Sequence, residues 1–541
     1  MSRHPLVIAG AGAIIVLMTV IITWPQALYL GSHVAGHNDP HFSMWRLGWI
    51  AHALRTDPRH LFDANIFYPE LRTLAYSDAT LLEGIVAAPL WWAQVPPVLI
   101  YNVLLLGGIA ASGVSMFVLA RYLTGSVAAA MVSAAIFTMA PYRIEHFMHL
   151  ELQWTMWMPL AFWAAHRAFD ERPLKWGLLA GLFVWLQVIS CVYYGIFLAM
   201  MVAALAVLLA GGDWRRARAA APGLLVGAIV AAVLILPYMR PYIQNAKTLG
   251  PRDVVEIAQY SAQPVNYLAS PPQNWLWGWT ADRYGANEAR LFPGLGAVVL
   301  ALVAFAYRPR RLVWIYAVLC ALAVELSFGV NGWLYGWLYA HVDALHGLRA
   351  PARFAILAQC ALAVLAGFGV RALAPRLRAS RTRNGALVAG VLALLTIEYG
   401  SSKMFLVHVA DDPPDVYKVI RAIGPGVVAE LPLPRTDGLP GWDAVYESWS
   451  VNHWHPLVNG YSGYYPPGYI RTLELMRTFP DGESIARLRA LNVRFIVVHR
   501  AFYDTAAYAS LLDRMANRPE FKSDWHYRDP VNEAQLFELR P

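Results

Sequence analysis

The chain has 541 residues, 58% hydrophobic and only 14% charged, with 43 Lys and Arg against 35 Asp and Glu for a formal net charge of +8. A soluble domain is about 45–50% apolar and about 25% charged, so this excess cannot be hidden in one water-soluble core. Composition argues against a soluble enzyme, a disordered chain and a fibrous repeat. The basic balance fits nucleic acid or cytoplasmic membrane loops until the charges are placed along the chain.

A bilayer span takes about 17–25 mostly apolar residues. Residues 6–24 form the first span, read as an anchor because no small-residue cleavage site follows it. Further spans fall at 98–120, 126–141, 152–168, 175–190, 192–211, 222–239, 291–307, 312–329, 353–373 and 385–405, about eleven transmembrane helices in all. The apolar segment 80–95 is short and holds Pro89, so it reads as either a span or a re-entrant or interfacial helix.

The compact basic clusters are Arg167/Arg172/Lys175, Arg215/Arg216/Arg218, Arg308/Arg310/Arg311 and Arg371/Arg376/Arg378/Arg381/Arg383. A cytoplasmic N-terminus with 80–95 not crossing puts all four, and Arg121, on the cytoplasmic side, as the positive-inside rule asks. If 80–95 crosses, all four clusters flip outward. The first solution is preferred, so loops 25–97, 142–151, 240–290 and 330–352 face outward, as does the chain after about residue 406. Cys191, Cys320 and Cys360 lie within or at the edge of spans, which implies no disulfide framework. Arginine outnumbers lysine in the manner of a GC-rich bacterial genome.

From Asp411 the pattern changes. Residues 426–431 and 494–499 read as short buried strands, 483–491 as a helix with Ile485, Leu488 and Leu491 on one face, 510–515 as part of another, and 535–539 as an edge strand. Residues 407–541 thus read as an extracytoplasmic α/β domain of about 130 residues, and 1–406 as the transmembrane domain. No repeat of about 20–50 residues is evident.

The outward loops hold the residues suited to chemistry. Asp39, in Gly36-His37-Asn38-Asp39-Pro40-His41, precedes an amphipathic run, 42–54, with Trp45 and Trp49. A partly desolvated carboxylate at headgroup depth is a candidate general base; the plainer reading is an N-cap with Pro40 first in the helix. Glu83, inside the short apolar segment, needs a partner or a task at that depth, or snorkels to water. Arg143, His146 and His149 recur at i, i+3 and i+6, roughly one helix face, suited to phosphate, to a span end, or less well to metal. Arg349 and Arg353 could hold a lipid phosphate or ordinary anionic headgroups. The 240–290 loop carries Arg252, Asp253, Glu256 and Trp275, Trp277 and Trp279, which suit sugar rings but also the membrane's aromatic belt. No Walker A motif, GxGxxG, HExxH or nucleophile elbow is present.

Several strings resemble bacterial members of the glycosyltransferase C (GT-C) superfamily, polytopic enzymes using polyprenyl-phosphate sugars on the outer face. They are Asp39 after the first span, Asn65-Ile66-Phe67-Tyr68-Pro69, Leu74-Ala75-Tyr76-Ser77, Pro141-Tyr142-Arg143 with His146 and His149, and Trp157-Met158-Pro159-Leu160. Leu291-Phe292-Pro293-Gly294, Arg349-Ala350-Pro351-Ala352-Arg353-Phe354, 456–463 and Val497-Val498-His499 match as well. The resemblance implies an all-α polytopic membrane protein of GT-C type with the C-terminal α/β domain outside, in the bacterial cytoplasmic membrane. It maps the superfamily's outer-loop acidic residue onto Asp39, as base or as ligand of a divalent metal (Mg or Mn). Many members carry two adjacent acids there; Asn38-Asp39 departs from that pattern and puts metal dependence in doubt.

The implied reaction is inverting transfer from a polyprenyl-phosphate sugar to a glycan, glycolipid, lipid or protein acceptor, with Arg143, His146, His149, Arg349, Arg353 and Glu83 contacting substrate or phosphate. Nucleic acid is not an expected partner. A non-enzymatic protein such as a lipid-linked-sugar flippase or transporter is the alternative; it fits less well because the ionisable residues sit at one face and no repeat is visible. A degenerate member whose aromatic outer stretch, 442–469, binds glycan or a partner protein is a third reading; packing of the small domain onto the membrane face is the preferred account of that stretch.

Overall fold

The computed structural model describes residues 4–286, 288–307, 309–373, 381–409, 414–521, 527–528 and 534–540. Arg308, Arg376, Arg378, Asp411 and residues 529–533 of the expected C-terminal segments lie outside them. The chain forms two compact units, one of Met1–Leu30, Asn102–Arg240 and Gly250–Leu406, the other of Gly31–Tyr101, Pro241–Leu249 and Val407–Pro541.

Among the described residues, six helices are long and apolar enough to cross a membrane: Pro97–Thr124, Val127–Glu145, Pro173–Ser190, Val192–Ala210, Trp214–Leu249 and Pro351–Leu373. The other expected spans hold helices that are shorter or less apolar, among them Trp157–Asp170 with 14 residues and Arg311–Ser327 with 17. The ambiguous segment 80–95 is the 12-residue helix Leu81–Trp92, about 18 Å long at 1.5 Å per residue and too short to span.

In the first unit, small residues set the helix packing. A Cβ on Gly181 would lie 2.0 Å from the Gly227 carbonyl oxygen, and one on Gly177 2.1 Å from that of Gly223. The Pro173–Ser190 and Trp214–Leu249 helices therefore touch backbone to backbone, as small-residue interfaces allow in lipid, where association cannot draw on the hydrophobic effect. Leu225, Ile229, Val233 and Leu236 of the longer helix stay exposed, as a lipid-facing surface requires. Val192–Ala210 stops where Gly211 takes φ +54° and its N–H returns to the Val207 carbonyl, a left-handed cap that glycine adopts without a side-chain penalty.

The second unit contains a four-stranded mixed sheet in the order Val427–Leu431, Val493–His499, Ala534–Glu538, Tyr527–Arg528. The first pair is parallel with Glu430 opposite Val497, and the other pairings are antiparallel with Val497 opposite Leu536. Strand alternation sends Val427, Ala429, Leu431, Ile496 and Val498 to one core with Ile485, Leu488 and Met515, and Val428, Phe495 and Val497 to the other with Tyr417, Ile420 and Tyr446. The helix expected at 483–491 is Gly482–Ala490, capped by the Asp481 carboxylate on the Ser484 N–H, and that expected at 510–515 is the end of Thr505–Ala516. The strand expected at the edge, 535–539, lies inside the sheet; the edge beside it is the two-residue Tyr527–Arg528, too short to show a period in sequence.

This unit also contains the helix Asn38–Thr56, which packs on Leu81–Trp92, with the Trp91 ring where a Cβ on Gly48 would be. Segments 65–68 and 457–459 pair through backbone bonds, Leu457 N–H to Asn65, Phe67 N–H to Asn459 and Tyr68 N–H to Leu457 carbonyls at 2.7–3.0 Å. Asn65 Nδ2 continues the link to Ser450 Oγ and the His455 carbonyl, both at 3.1 Å. Two strings that carry the sequence resemblance are thus joined across nearly 400 residues.

Candidate functional site

In the second unit, Asp39 lies in the first turn of Asn38–Thr56 and is 8% exposed. The helix begins before it: His37 is the N-cap, and its Nδ1 accepts the Asp39 N–H at 3.3 Å. Asp39 is therefore not the cap, and its carboxylate points elsewhere. Oδ1 accepts the Tyr461 hydroxyl at 3.0 Å, and Oδ2 lies 2.7 Å from His37 Nδ1, which gives up the cap and donates to Oδ2 only in the ring's Nδ1-protonated form. Phe42, one turn on, packs edge-on against the Tyr461 ring at 5.2 Å. Burial, then the Asp39 carboxylate, pushes the Tyr461 hydroxyl well up, so it stays a donor. Neighbouring His41 is held down to about 4 by burial and is neutral at physiological pH.

Behind Tyr461 lie acids that sequence reading did not single out. Glu447, wholly buried in Asp443–Ser450, accepts the Tyr461 backbone N–H on Oε1 at 2.5 Å, and burial pushes its carboxyl up. Asp443 accepts Asn459 Nδ2 at 3.0 Å and the Tyr469 hydroxyl at 2.5 Å, and burial raises it to about 7. Asn459 also grips both backbone groups of Glu430, N–H to Oδ1 at 2.8 Å and Nδ2 to carbonyl at 3.0 Å. Glu430, the polar residue of an otherwise apolar strand, is 2.6 Å from His499 Nε2. The alternation that buries Val428 and Val497 points both residues of this pair into the same core.

Glu83 is buried in the first turn of Leu81–Trp92, also within this unit. Arg46, buried among its neighbours, donates to the Asp78 carbonyl at 2.6 Å and Ser43 Oγ at 2.9 Å and sits 4.3 Å from the Phe42 ring centre.

The remaining predicted residues belong to the first unit. The apolar stretch Val127–Glu145 is interrupted after Thr138, and its last piece, the one that carries Arg143, is the short helix Pro141–Glu145, so Arg143, His146 and His149 do not share a helix face; His146 is its C-cap and His149 precedes Leu150–Gln153. Arg143 is 1% exposed, and its guanidinium donates to the Phe137 carbonyl (2.8 Å), Thr155 Oγ1 (2.8 Å) and the carbonyl and side-chain oxygens of Gln153 (both 3.4 Å). It holds the turn between two helices together. The His146 and His149 rings still meet, with centroids 5.9 Å apart. His146 is 1% exposed, neither ring nitrogen has a hydrogen-bond partner among the described residues, and burial lowers it to about 3, so it is a neutral donor and acceptor.

Glu288 organises the arginines. Its Oε2 accepts from Arg353 Nη2 at 2.8 Å and Nε at 2.9 Å, and its Oε1 lies 3.7 Å from Arg349. Burial would raise this carboxyl, but Arg353, His146, His149 and Arg349 together hold it down to about 2. Arg349 also faces Glu256 at 3.7 Å and lies 4.6 Å from the Tyr260 ring centre. Glu288 sits in irregular chain at φ +55°, where no periodicity marks it. Trp275 and Trp279 of the same loop are exposed, as belt and sugar-stacking readings both require.

Among the described residues, no three His, Cys, Asp or Glu side chains converge as metal ligands. With Asp39 engaged by a phenol and an imidazole, this donor set does not match the oxygen cages of Mg, and no step below passes through a metal.

No family model and no curated protein sequence matches the chain. Solved structures do. Arabinofuranosyltransferase AftD from Mycobacteria superposes with TM-score 0.66 at 13% identity, over 100% of this chain and 40% of AftD. The archaeal oligosaccharyltransferase AglB from Archaeoglobus fulgidus, in complex with an inhibitory peptide and a dolichol-phosphate, gives 0.52 at 13% over 99% of this chain and 74% of its own. ArnT from Cupriavidus metallidurans gives 0.52 at 12% over 98% of both chains. These are GT-C superfamily members. The chain has the fold that these structures share. The six long apolar helices among its described residues are, by length and composition, the make-up of a multi-pass membrane protein. The GT-C fold here spans about 40% of AftD's length.

Proposed function

We propose that this GT-C protein is an integral membrane glycosyltransferase that moves a sugar from a polyprenyl-phosphate donor to a lipid, glycan or protein acceptor with inversion. The observation that carries the reading is the Asp39 carboxylate, almost buried, with Oδ1 accepting the Tyr461 hydroxyl and Oδ2 2.7 Å from His37 Nδ1, in a chain whose fold is that of solved glycosyltransferases. A carboxylate so fixed takes the proton of an acceptor hydroxyl. The hydroxyl oxygen then bonds to the sugar C1 from the face opposite the phosphate, the C1–O bond breaks, and polyprenyl phosphate leaves with that electron pair.

Taken by itself, the first unit's cluster of Arg349 and Arg353, with His146 and His149 as N–H donors, suits contact with a phosphate, where fixed charge stabilises the anion without reorganisation. Glu288 keeps the two guanidinium groups oriented. Arg143 and Glu83 serve in support, Arg143 by fixing the turn that presents His146. We place the enzyme in a bacterial cytoplasmic membrane with its N-terminus inside and residues 407–541 as an extracytoplasmic α/β domain, on the strength of the basic clusters. Asp39→Asn in membranes supplied with polyprenyl-phosphate sugars tests the reading; loss of transfer with normal insertion supports it, and retained transfer removes Asp39 from the chemistry.

A further inference from the structure

We propose that Tyr461 and Glu447 are positioning residues for Asp39, forming a two-link strut that sets the orientation and proton affinity of its carboxylate. The inference rests on the reading of Asp39 as base. One link is the Tyr461 hydroxyl on Asp39 Oδ1 at 3.0 Å; the other is the Tyr461 backbone N–H on Glu447 Oε1 at 2.5 Å. The strut joins residues 422 apart in sequence, so nothing local could supply it. The Phe42 ring, T-shaped against the phenol, packs on it from the helix that carries Asp39.

Glu447 is wholly buried, its Oε2 has no hydrogen-bond partner among the described residues, and burial pushes the carboxyl up against the opposing charge of Arg46. A protonated carboxyl presents one carbonyl-type oxygen to the Tyr461 N–H, and a glutamine amide presents the same oxygen in the same volume. The strut therefore needs an acceptor at 447, not a charge. His37 Nδ1 also approaches Asp39, at 2.7 Å, but the His37 side chain is 46% exposed, so that contact is open to solvent and the Tyr461 hydroxyl is the more sheltered of the two.

The test is carbodiimide labelling of Asp39 in the full-length protein across pH, read by mass spectrometry, because the reagent attacks the protonated carboxyl. Tyr461→Phe removes a donor to the charged form, so the labelling midpoint should rise by about one pH unit, the ordinary size of a hydrogen bond to a charged group. 3-Fluorotyrosine at 461, a stronger donor with an unchanged fold, should move it down. Glu447→Ala should shift it up as Tyr461→Phe does, whereas Glu447→Gln should leave it in place. Unchanged midpoints for both Tyr461 replacements would overturn the proposal, as would equal behaviour of the Gln and Ala variants. If the midpoint moves but the acid limb of the transfer rate does not follow, the strut stands and the base reading falls.

Discussion

Glu288→Gln isolates the interaction that orders the arginine pair. The carboxyl is held from an ordinary value of 4.5 down to about 2, a difference of about 3 kcal/mol at 1.36 kcal/mol per unit. Its side chain is 19% exposed and that of Arg353 8%, so little of this is lost to solvent screening. The variant leaves Arg353 buried without its counter-charge, a change that costs about 3–5 kcal/mol when a buried pair loses one partner. The Ala352 N–H, bonded to the Tyr260 carbonyl at 3.1 Å, reports on the same turn. Its hydrogen exchange in detergent or nanodiscs should accelerate by about two orders of magnitude. Glu288→Gln with Arg353→Met should recover most of the protection, since removing both charges leaves nothing uncompensated. The sign with pH follows from a depressed carboxyl: the stabilisation is complete above about 4.5 and disappears as pH falls toward 2. Wild-type exchange in Glu288→Gln, or no recovery in the double variant, would refute this account of the pair.

Asp443 carries the opposite sign. Its carboxyl rises from 3.8 to about 7 on folding, so stability is complete below about pH 4, declines by up to about 4 kcal/mol as pH climbs to 7, and levels off beyond. Asp443→Asn should flatten that decline in the exchange of the Asp443–Ser450 amides; a slope equal to the wild type's would contradict it. Gly181→Leu should prevent stable folding or lower the melting temperature sharply, because even a Cβ there lies 2.0 Å from the Gly227 oxygen. Normal yield and melting of that variant would show that the helices do not meet at this point.

Much of the fold was legible in the residues. Long charge-free runs mark helices because a bilayer removes every alternative for the backbone, and the strands around Val428 and Val497 stand out as short apolar runs. Spans such as 152–168 were less legible, since their helices are interrupted by loops rather than running full length. Asp39 was visible from its place beside a span, but the helix cap was misassigned by two residues, because His37 caps through a ring nitrogen, an uncommon choice. Arg143 looked outward-facing from its neighbours and instead turned inward to satisfy carbonyls left open between two helices. Tyr461, Glu447 and Glu288 carried no signal, since each matters through a partner remote in sequence. The nearest hint was the string 456–463, which marked a region without naming a role.

The central claim is that Asp39 is the base of a glycosyl transfer. The most direct measurement is transfer of labelled sugar from polyprenyl-phosphate donors by membranes containing wild-type or Asp39→Asn protein at matched insertion. Loss of a positioned base predicts a fall of about 10²–10⁴-fold. Transfer by Asp39→Asn within a few-fold of wild type would contradict the claim.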